Sequence, residues 1–274
     1  MLKINQKLKE AYKKTKRQSL IVYLILRVLV ILCMILQILK KEYFNALLCI
    51  LSLILFTLPF FIKKKFKIEL PNTLEVIILC FIFSAEILGE INNFYGLFTH
   101  WDTILHTLNG FLCAGIGFAL IDLLNKNITT FNLSPIYVAL VAFCFSMTVG
   151  VIWEFLEFGA DRILKMDAQK DRIVQTISTV SLNNTNKPVI IEGIDKTVLY
   201  DKDNQIIATI DNGYLDIGII DTMKDLIVNF IGAITFSIFG LLYISNRDKY
   251  SFAKNFIPTK KIPWTNQEDF FNLH

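Results

Sequence analysis

The residues able to do chemistry in this sequence are carboxylates, imidazoles and amides embedded in apolar runs. In "FTHWDTILHTLNG", Asp102, His106 and Asn109 recur every three or four residues, the spacing that lines one helix face. "SAEILGEINN" places Glu86 and Glu90 one turn apart. "GVIWEFLEFGADR" gathers Glu154, Glu157 and Asp161, and "IIDTMKDLIVNFIGA" strings Asp221, Asp225 and Asn229 in an i, i+4, i+8 row. Carboxylates mixed with imidazole suit Zn, Mn or Fe, and an all-oxygen subset suits Mg or Ca. Asp102/His106 and Asp221/Asp225 are the pairs whose one-turn spacing could grip an ion. With Glu154 and Glu157 they make a candidate ligand set for a divalent metal ion, which would polarise a phosphoryl or acyl group or generate hydroxide from water.

The elements that carry these groups are membrane spans. Of 274 residues, 54% are hydrophobic and only 19% charged, against about a quarter charged in a soluble domain. The apolar residues come in blocks of about 20, enough to cross a bilayer as helices. Six spans are expected, at 19–39, 43–62, 72–91, 102–124, 135–160 and 221–244. Pro71 and Pro135 mark two helix starts, and Asp102 and Asp221 read as N-caps of two others. The basic N-terminal stretch resembles a signal peptide, but its apolar run is too long and lacks a small-residue cleavage site, so it reads as a retained span. Cys33, Cys49, Cys80, Cys113 and Cys144 all fall inside apolar blocks and read as buried hydrophobes. No nucleic-acid motif is present.

Orientation follows from Lys and Arg. Seven precede the first span, four lie in "KKKFK", Lys126 follows the fourth span, and five lie beyond the sixth. The opposite side has Lys40 and Lys41 in a short loop and seven in a long segment, where translocated charges count little. Both termini are therefore expected in the cytoplasm. The expected organisation is a basic tail (1–18), a five-helix region (19–160), an extracytoplasmic insert (161–220), the sixth helix (221–244) and a cytoplasmic tail (245–274). In the insert, "KPVIIEGI" and "TVLYDKDNQIIATI" read as strands, the second a hairpin turning at "DKDN". The fold class is an all-α polytopic membrane protein with a small extracytoplasmic β-containing insert.

On this topology the polar ends of spans 3, 4, 5 and 6 face the same outer level. Intramembrane acids are costly and functional by default, and eight carboxylates beside two or three cations cannot all stay ionised and unpaired. Either some are protonated or a cation sits among them. The plainer readings run alongside. Asp102 and Asp221 could be only caps, Glu90 could sit in headgroup water, and Asn109 and Asn229 could be hydrogen-bond glue. His100, Trp101 and Trp153 suit an interfacial belt, and "GFLCAGIGF" and "FIGAITFSIFG" suit small-residue helix packing. Arg27, alone in the first span, either snorkels to the cytoplasmic side or pairs with Glu75.

The blocks "LPNTLEVIILCFIFSAEILGEINNFYGLFTHWDTILHTLNGFL", "GVIWEFLEFGADRI" and "GIIDTMKDLIVNFIGA" resemble the YjdF-type bacterial inner-membrane protein family. The resemblance runs from Leu70 to Ala233 except for 172–212. More loosely, they are similar to a VanZ-like pattern, in which an Asp and a His open one helix, an acidic block ends another and a "D…N..GA" block opens a third. VanZ-like proteins are associated with glycopeptide-antibiotic resistance, so that similarity implies envelope biology.

Three functions fit these residues. One is a cation-binding site at the outer leaflet that acts on or recognises a lipid headgroup or lipid-linked precursor. The second is a proton- or cation-coupled carrier using the same acids, and the third a scaffold in which the acids only pair helices.

Overall fold

The computed structural model describes residues 2–66, 68–127, 133–250 and 255–260. Of the basic residues counted for orientation, Lys67, Lys254 and Lys261 lie outside the described residues, as does the tail from 261 onward. Two compact units are present, one of residues 1–150 and 228–274, the other of 151–227.

In the first unit, α1 (Leu2–Leu39) and α2 (Tyr43–Leu55) are joined by a tight turn in which Lys41 takes a left-handed φ of 65° and stops the first helix. A turn at Phe56 and Thr57 leads into α3 (Leu58–Phe66), whose last turn carries Lys63, Lys64 and Lys65 at the negative end of the helix dipole. After strand β1 (Ile68–Glu69), Pro71 precedes α4 (Asn72–Ile82). This helix does not continue as α. It becomes a nine-residue π-helix, Phe83–Ile91, which bears Glu86 and Glu90. A short α5 (Phe94–Leu97) then leads to α6 (Trp101–Asn127), which is followed by α7 (Pro135–Gly159). Later in the chain come α8 (Ile219–Ser245) and strand β8 (Thr259–Lys260).

Five stretches are long and apolar enough to cross a membrane: Gln18–Leu39, Tyr43–Lys65, Trp101–Asp122, Pro135–Leu164 and Ile219–Ser245. The third expected span, 72–91, is not in that set; there α4 (Asn72–Ile82) gives way to the π-helix Phe83–Ile91. Strand pairing bears on it. β1 and β8 are antiparallel neighbours, with Ile68 opposite Lys260 and Glu69 opposite Thr259. Paired strands must lie on one side of a bilayer, so an even number of crossings separates them. Three of the five stretches lie between, and a crossing by Asn72–Ile91 would make the number even. Its α- and π-helical parts together approach the about 20 residues a span needs. Two contacts agree: Ser19 donates to Asn72 Oδ1 at 3.5 Å, and Lys63 pairs with Glu75 at 2.9 Å, joining ends that this parity places together.

Two apolar clusters hold this unit. Val30, Cys49, Phe56, Leu74 and Leu79 bind α1, α2 and α4 together, and Ala114, Phe118, Val138, Ala142 and Phe236 do so for α6, α7 and α8. Many other large apolar side chains on these helices point outward, as lipid-facing surfaces do. All five cysteines are free thiols. Arg27 does not reach Glu75. Its guanidinium donates to Tyr23 Oη at 2.6 Å, one turn toward the start of α1, while Glu75 is taken by Lys63.

The second unit holds a further π-helical turn (Ala160–Leu164) and short antiparallel strand pairs. β2 (Ile173–Val174) pairs with β7 (Tyr214–Leu215), β3 (Ile177–Thr179) with β4 (Val189–Ile191), and β5 (Lys196–Tyr200) with β6 (Ile206–Asp211). The β5–β6 hairpin turns at the expected "DKDN", where Asp201 Oδ1 accepts the N–H groups of Asp203 and Gln205 at 2.9 and 2.8 Å.

Candidate functional site

In the first unit the expected polar face of α6 is present. His106 Nε2 lies 3.4 Å from Asp102 Oδ1, and both side chains are half-buried. Asp102 is not the N-cap. The helix begins at Trp101, with Ile104 N–H donating to His100 O, so Asp102 is already within the first turn and its carboxylate faces His106. The neighbouring Thr103 hydroxyl is buried without a hydrogen-bond partner among the described residues.

One turn deeper, Asn109 Nδ2 donates to Asn229 Oδ1 on α8 at 3.3 Å. Asn229 is almost completely buried, and its own amide also reaches Met147 Sδ at 3.7 Å. The two amides bridge α6 and α8, and small residues let them meet. A Cβ on Gly110 would lie 2.1 Å from Asn229 O, and one on Gly232 would lie 1.9 Å from Thr107 O. Only glycine permits backbones this close. Ser146 on α7 donates to Gly110 O at 2.7 Å, and Gly150 faces the Asn229 side chain. Ser146 and Gly150 were not among the residues singled out by sequence, because a serine and a glycine in an apolar helix carry no distinguishing signal.

Glu86 and Glu90 lie on the π-helix, Glu86 half-buried and Glu90 exposed. Such helices occur disproportionately at functional sites because the wider turn displaces carbonyls from the ordinary ladder. Trp101 Nε1 takes one of them, Ser84 O, at 3.3 Å.

In the second unit, Glu154, Asp221 and Asp225 are the deeply buried acids, 5%, 4% and 2% exposed. Lys224 Nζ is 3.8 Å from Asp225 Oδ1. Glu157 is half-buried and accepts the Trp153 indole N–H at 2.7 Å, so Trp153 serves an acid in addition to any interfacial role. Asp161 and Asp221 hold consecutive residues of one return segment. Asp161 accepts the N–H groups of Ala168 and Gln169, and Asp221 accepts Lys170 N–H at 3.0 Å and the Arg172 guanidinium at 2.8 Å. Asp221 is not the N-cap of α8 either. Gly218 holds the N-cap position, its carbonyl accepting Thr222 N–H, and the capping side chain is that of Asp216, which accepts Gly218 N–H at 3.0 Å and Ile220 N–H at 2.9 Å. Burial raises the Asp216 carboxyl, but the N–H donors of Ile220, Arg172 and Gly218 and the Arg172 charge outweigh it and hold the group below its ordinary value. Asp171 is pushed up, first by burial and then by the carboxylates of Asp167, Asp216 and Asp161.

A second polar centre in the first unit was also missed by sequence. Asp122 on α6, buried, pairs with Arg247 just past α8, Nη2 to Oδ1 at 3.0 Å. The signal available was a lone acid in "ALIDLL" and a lone arginine after the last span, too common a pattern to single out.

Residues 21–246 match the model of a family described as a predicted membrane protein family, DUF2238. A relative from Thermotoga maritima, an uncharacterised protein, is 30% identical over 106 residues, covering 39% of this chain and 53% of that protein. The chain thus spans about half the length of this curated relative. No solved structure matches it.

Proposed function

The chain belongs to the DUF2238 family of predicted membrane proteins, to which the YjdF-type resemblance pointed, and from that premise we propose a divalent-cation site at the outer ends of its spans. The observation that carries this reading is the Asp102–His106 pair. A carboxylate oxygen and an imidazole nitrogen 3.4 Å apart on one helix face, both half-buried, are a two-ligand grip for Zn, Mn or Fe. The orphaned Thr103 hydroxyl next in sequence supports it, since a buried donor or acceptor without a partner is an unmet cost that an ion or its water would relieve.

The alternation of spans in the sequence adds Glu154, Glu157, Asp221 and Asp225 as further candidate ligands at the outer leaflet, with Glu86 and Asp161 close to that level. Asp221 is the weakest of these, because its oxygens already take Lys170 and Arg172. A cation at this depth would sit beside lipid phosphates, so the substrate class we propose is an envelope lipid headgroup or a lipid-linked precursor. The VanZ-like pattern agrees with such envelope biology. In this reading both termini are cytoplasmic, the 161–220 insert is extracytoplasmic, and the membrane is the bacterial plasma membrane.

Elemental analysis of the detergent-purified protein tests the site directly. We expect close to one equivalent of a divalent transition metal, lost in Asp102→Asn and His106→Gln. Wild-type protein that carries no metal after purification in metal-replete buffer, and whose thermal stability ignores added Zn or Mn, would overturn the proposal.

A further inference from the structure

An arginine on a lipid-facing helix surface is costly, about 2.5–3.5 kcal/mol at the bilayer centre on insertion scales, and calls for a partner. Arg27 is such a residue. Its side chain is exposed on α1, flanked by Leu20, Leu24, Val28 and Ile31, which are exposed as well. Its contacts among the described residues are both to Tyr23. Nη1 donates to Tyr23 Oη at 2.6 Å, and the guanidinium carbon lies 5.6 Å from the ring centroid. These contacts draw the charge back toward the start of α1 by one turn, about 5.4 Å. That direction leads to polar surface. Ser19, one turn before Tyr23, donates to Asn72 Oδ1 at 3.5 Å at the start of α4, and the Lys63–Glu75 pair ties the end of α3 to the same helix start. Tyr23 is four residues, about 6 Å, beyond Ser19, and the headgroup layer on each side of the hydrocarbon is about 5–7 Å thick. The guanidinium therefore hangs where apolar helix surface meets headgroups, the depth to which a long cationic side chain snorkels.

We propose that Arg27 and Tyr23 bind the phosphate of an anionic phospholipid on the lipid-facing side of α1. A guanidinium carries five donors and Tyr23 takes one, so a fork remains for phosphate oxygens. The Tyr23 hydroxyl accepts from Arg27 and keeps its own proton to give. Tyr23 is a fixed point, its ring packed edge-on against Phe56 at 6.5 Å in the cluster that joins α1, α2 and α4. The arginine is thus oriented before any ligand arrives, which lowers the ordering cost of binding. Uncancelled charge selects the anion. No carboxylate meets Arg27 among the described residues, and Lys64 and Lys65 at the end of α3 are exposed against the single half-buried Glu69 of β1. Basic surface at a membrane face attracts anionic lipid. A carboxylate on another span is the other group that satisfies an arginine at such a place. In a second copy of this chain, Glu75 and Asp122 are already engaged by Lys63 and Arg247. The retraction of the guanidinium toward the helix start also favours a headgroup over an acid at the depth of residue 27. The proposal is independent of the cation site. Under the orientation proposed above, the lipid belongs to the inner leaflet.

Full-length protein in nanodiscs of phosphatidylcholine, with and without one-fifth phosphatidylglycerol, supplies the test, with retained phospholipid counted by native mass spectrometry. Wild type is expected to retain phosphatidylglycerol in preference to phosphatidylcholine. Arg27→Leu should lose that preference, roughly tenfold in apparent affinity, the scale of one charge-assisted fork. Tyr23→Phe keeps the ring and removes only the hydroxyl, so it should lose about threefold. Because Arg27 faces lipid, Arg27→Leu leaves no buried charge behind, and its unfolding temperature in pure phosphatidylcholine should equal or exceed that of wild type. A lost preference in that folded variant supports the proposal. Equal retention of phosphatidylglycerol by wild type and Arg27→Leu overturns it, as does a wild type with no preference between the lipids. Displacement of the retained lipid by millimolar inorganic phosphate makes the ligand free phosphate and overturns the lipid assignment. A second membrane protein that co-purifies stoichiometrically with wild type and not with Arg27→Leu, with no lipid preference in either, assigns Arg27 to a partner's carboxylate and overturns it too.

Discussion

Alanine at Gly110 would drive a methyl group into the Asn229 carbonyl, because a Cβ there lies 2.1 Å from that oxygen. Overpacking of this kind costs about 1–3 kcal/mol, and here the obstacle is backbone that cannot rotate away. Gly110→Ala is therefore expected to lower the unfolding temperature in detergent clearly. Asn109→Leu, which removes only one interhelical hydrogen bond, should cost about 0.6–1.7 kcal/mol. A reversed ranking of the two by thermal unfolding would mean that the helices are not held at this close approach. Asp216 makes a separate, pH-dependent contribution. Its carboxyl is held below the ordinary value, so its stabilisation is complete above that value and is lost as pH falls through the lowered one. Asp171, raised, works in the opposite sense, stabilising below its ordinary value and losing that contribution as pH rises through the raised one. Asp216→Ala should cost about 0.5–2 kcal/mol at neutral pH and flatten the acid limb of the stability profile. Unfolding curves recorded from about pH 7 to about pH 3 will check the sign.

At the scale of elements, α4 gives way to the π-helix halfway along the third expected span. Composition marks 72–91 as one apolar block, whereas helix type divides it. The β1–β8 pair is the more decisive observation, because two strands cannot hydrogen-bond across a bilayer. Glu69 and Thr259 are direct partners, and Cβ atoms of opposed antiparallel residues are about 4.5–5.5 Å apart. A Glu69→Cys, Thr259→Cys double variant should therefore cross-link efficiently under mild oxidation in native membranes. Failure to cross-link, with each cysteine labelled from a different side, would remove the fourth crossing between the two strands. The return segment 168–172 gives a second test. Asp221→Asn weakens the acceptor shared by Lys170 and Arg172, so protease nicking of the insert should quicken while α8 persists by circular dichroism.

For the molecule as a whole, membrane embedding puts the polar ends of the spans and the insert at the water-facing levels. Reporters fused after residue 200 and after residue 250 should report from opposite compartments, the first outside the cytoplasm and the second within it. The same compartment for both would dismantle the assignment of Glu154, Glu157 and Asp225 to the outer leaflet. Hydrophobic periodicity and block length were enough to read a helical polytopic protein from the sequence, because a bilayer demands about 20 apolar residues wherever a helix crosses it. The grouping of Asp102 with His106 was likewise legible, since i and i+4 share a helix face whatever surrounds them. Three-dimensional packing decided the rest. It made Asp216 rather than Asp221 the capping side chain of α8, since capping depends on where the backbone leaves the helix and not on which aspartate comes nearest in sequence. It also joined Asn109 to Asn229, β1 to β8 and Asp122 to Arg247, partners more than a hundred residues apart. Local spacing carries no information about such pairs, because only the folded chain sets which helix faces and strand edges meet.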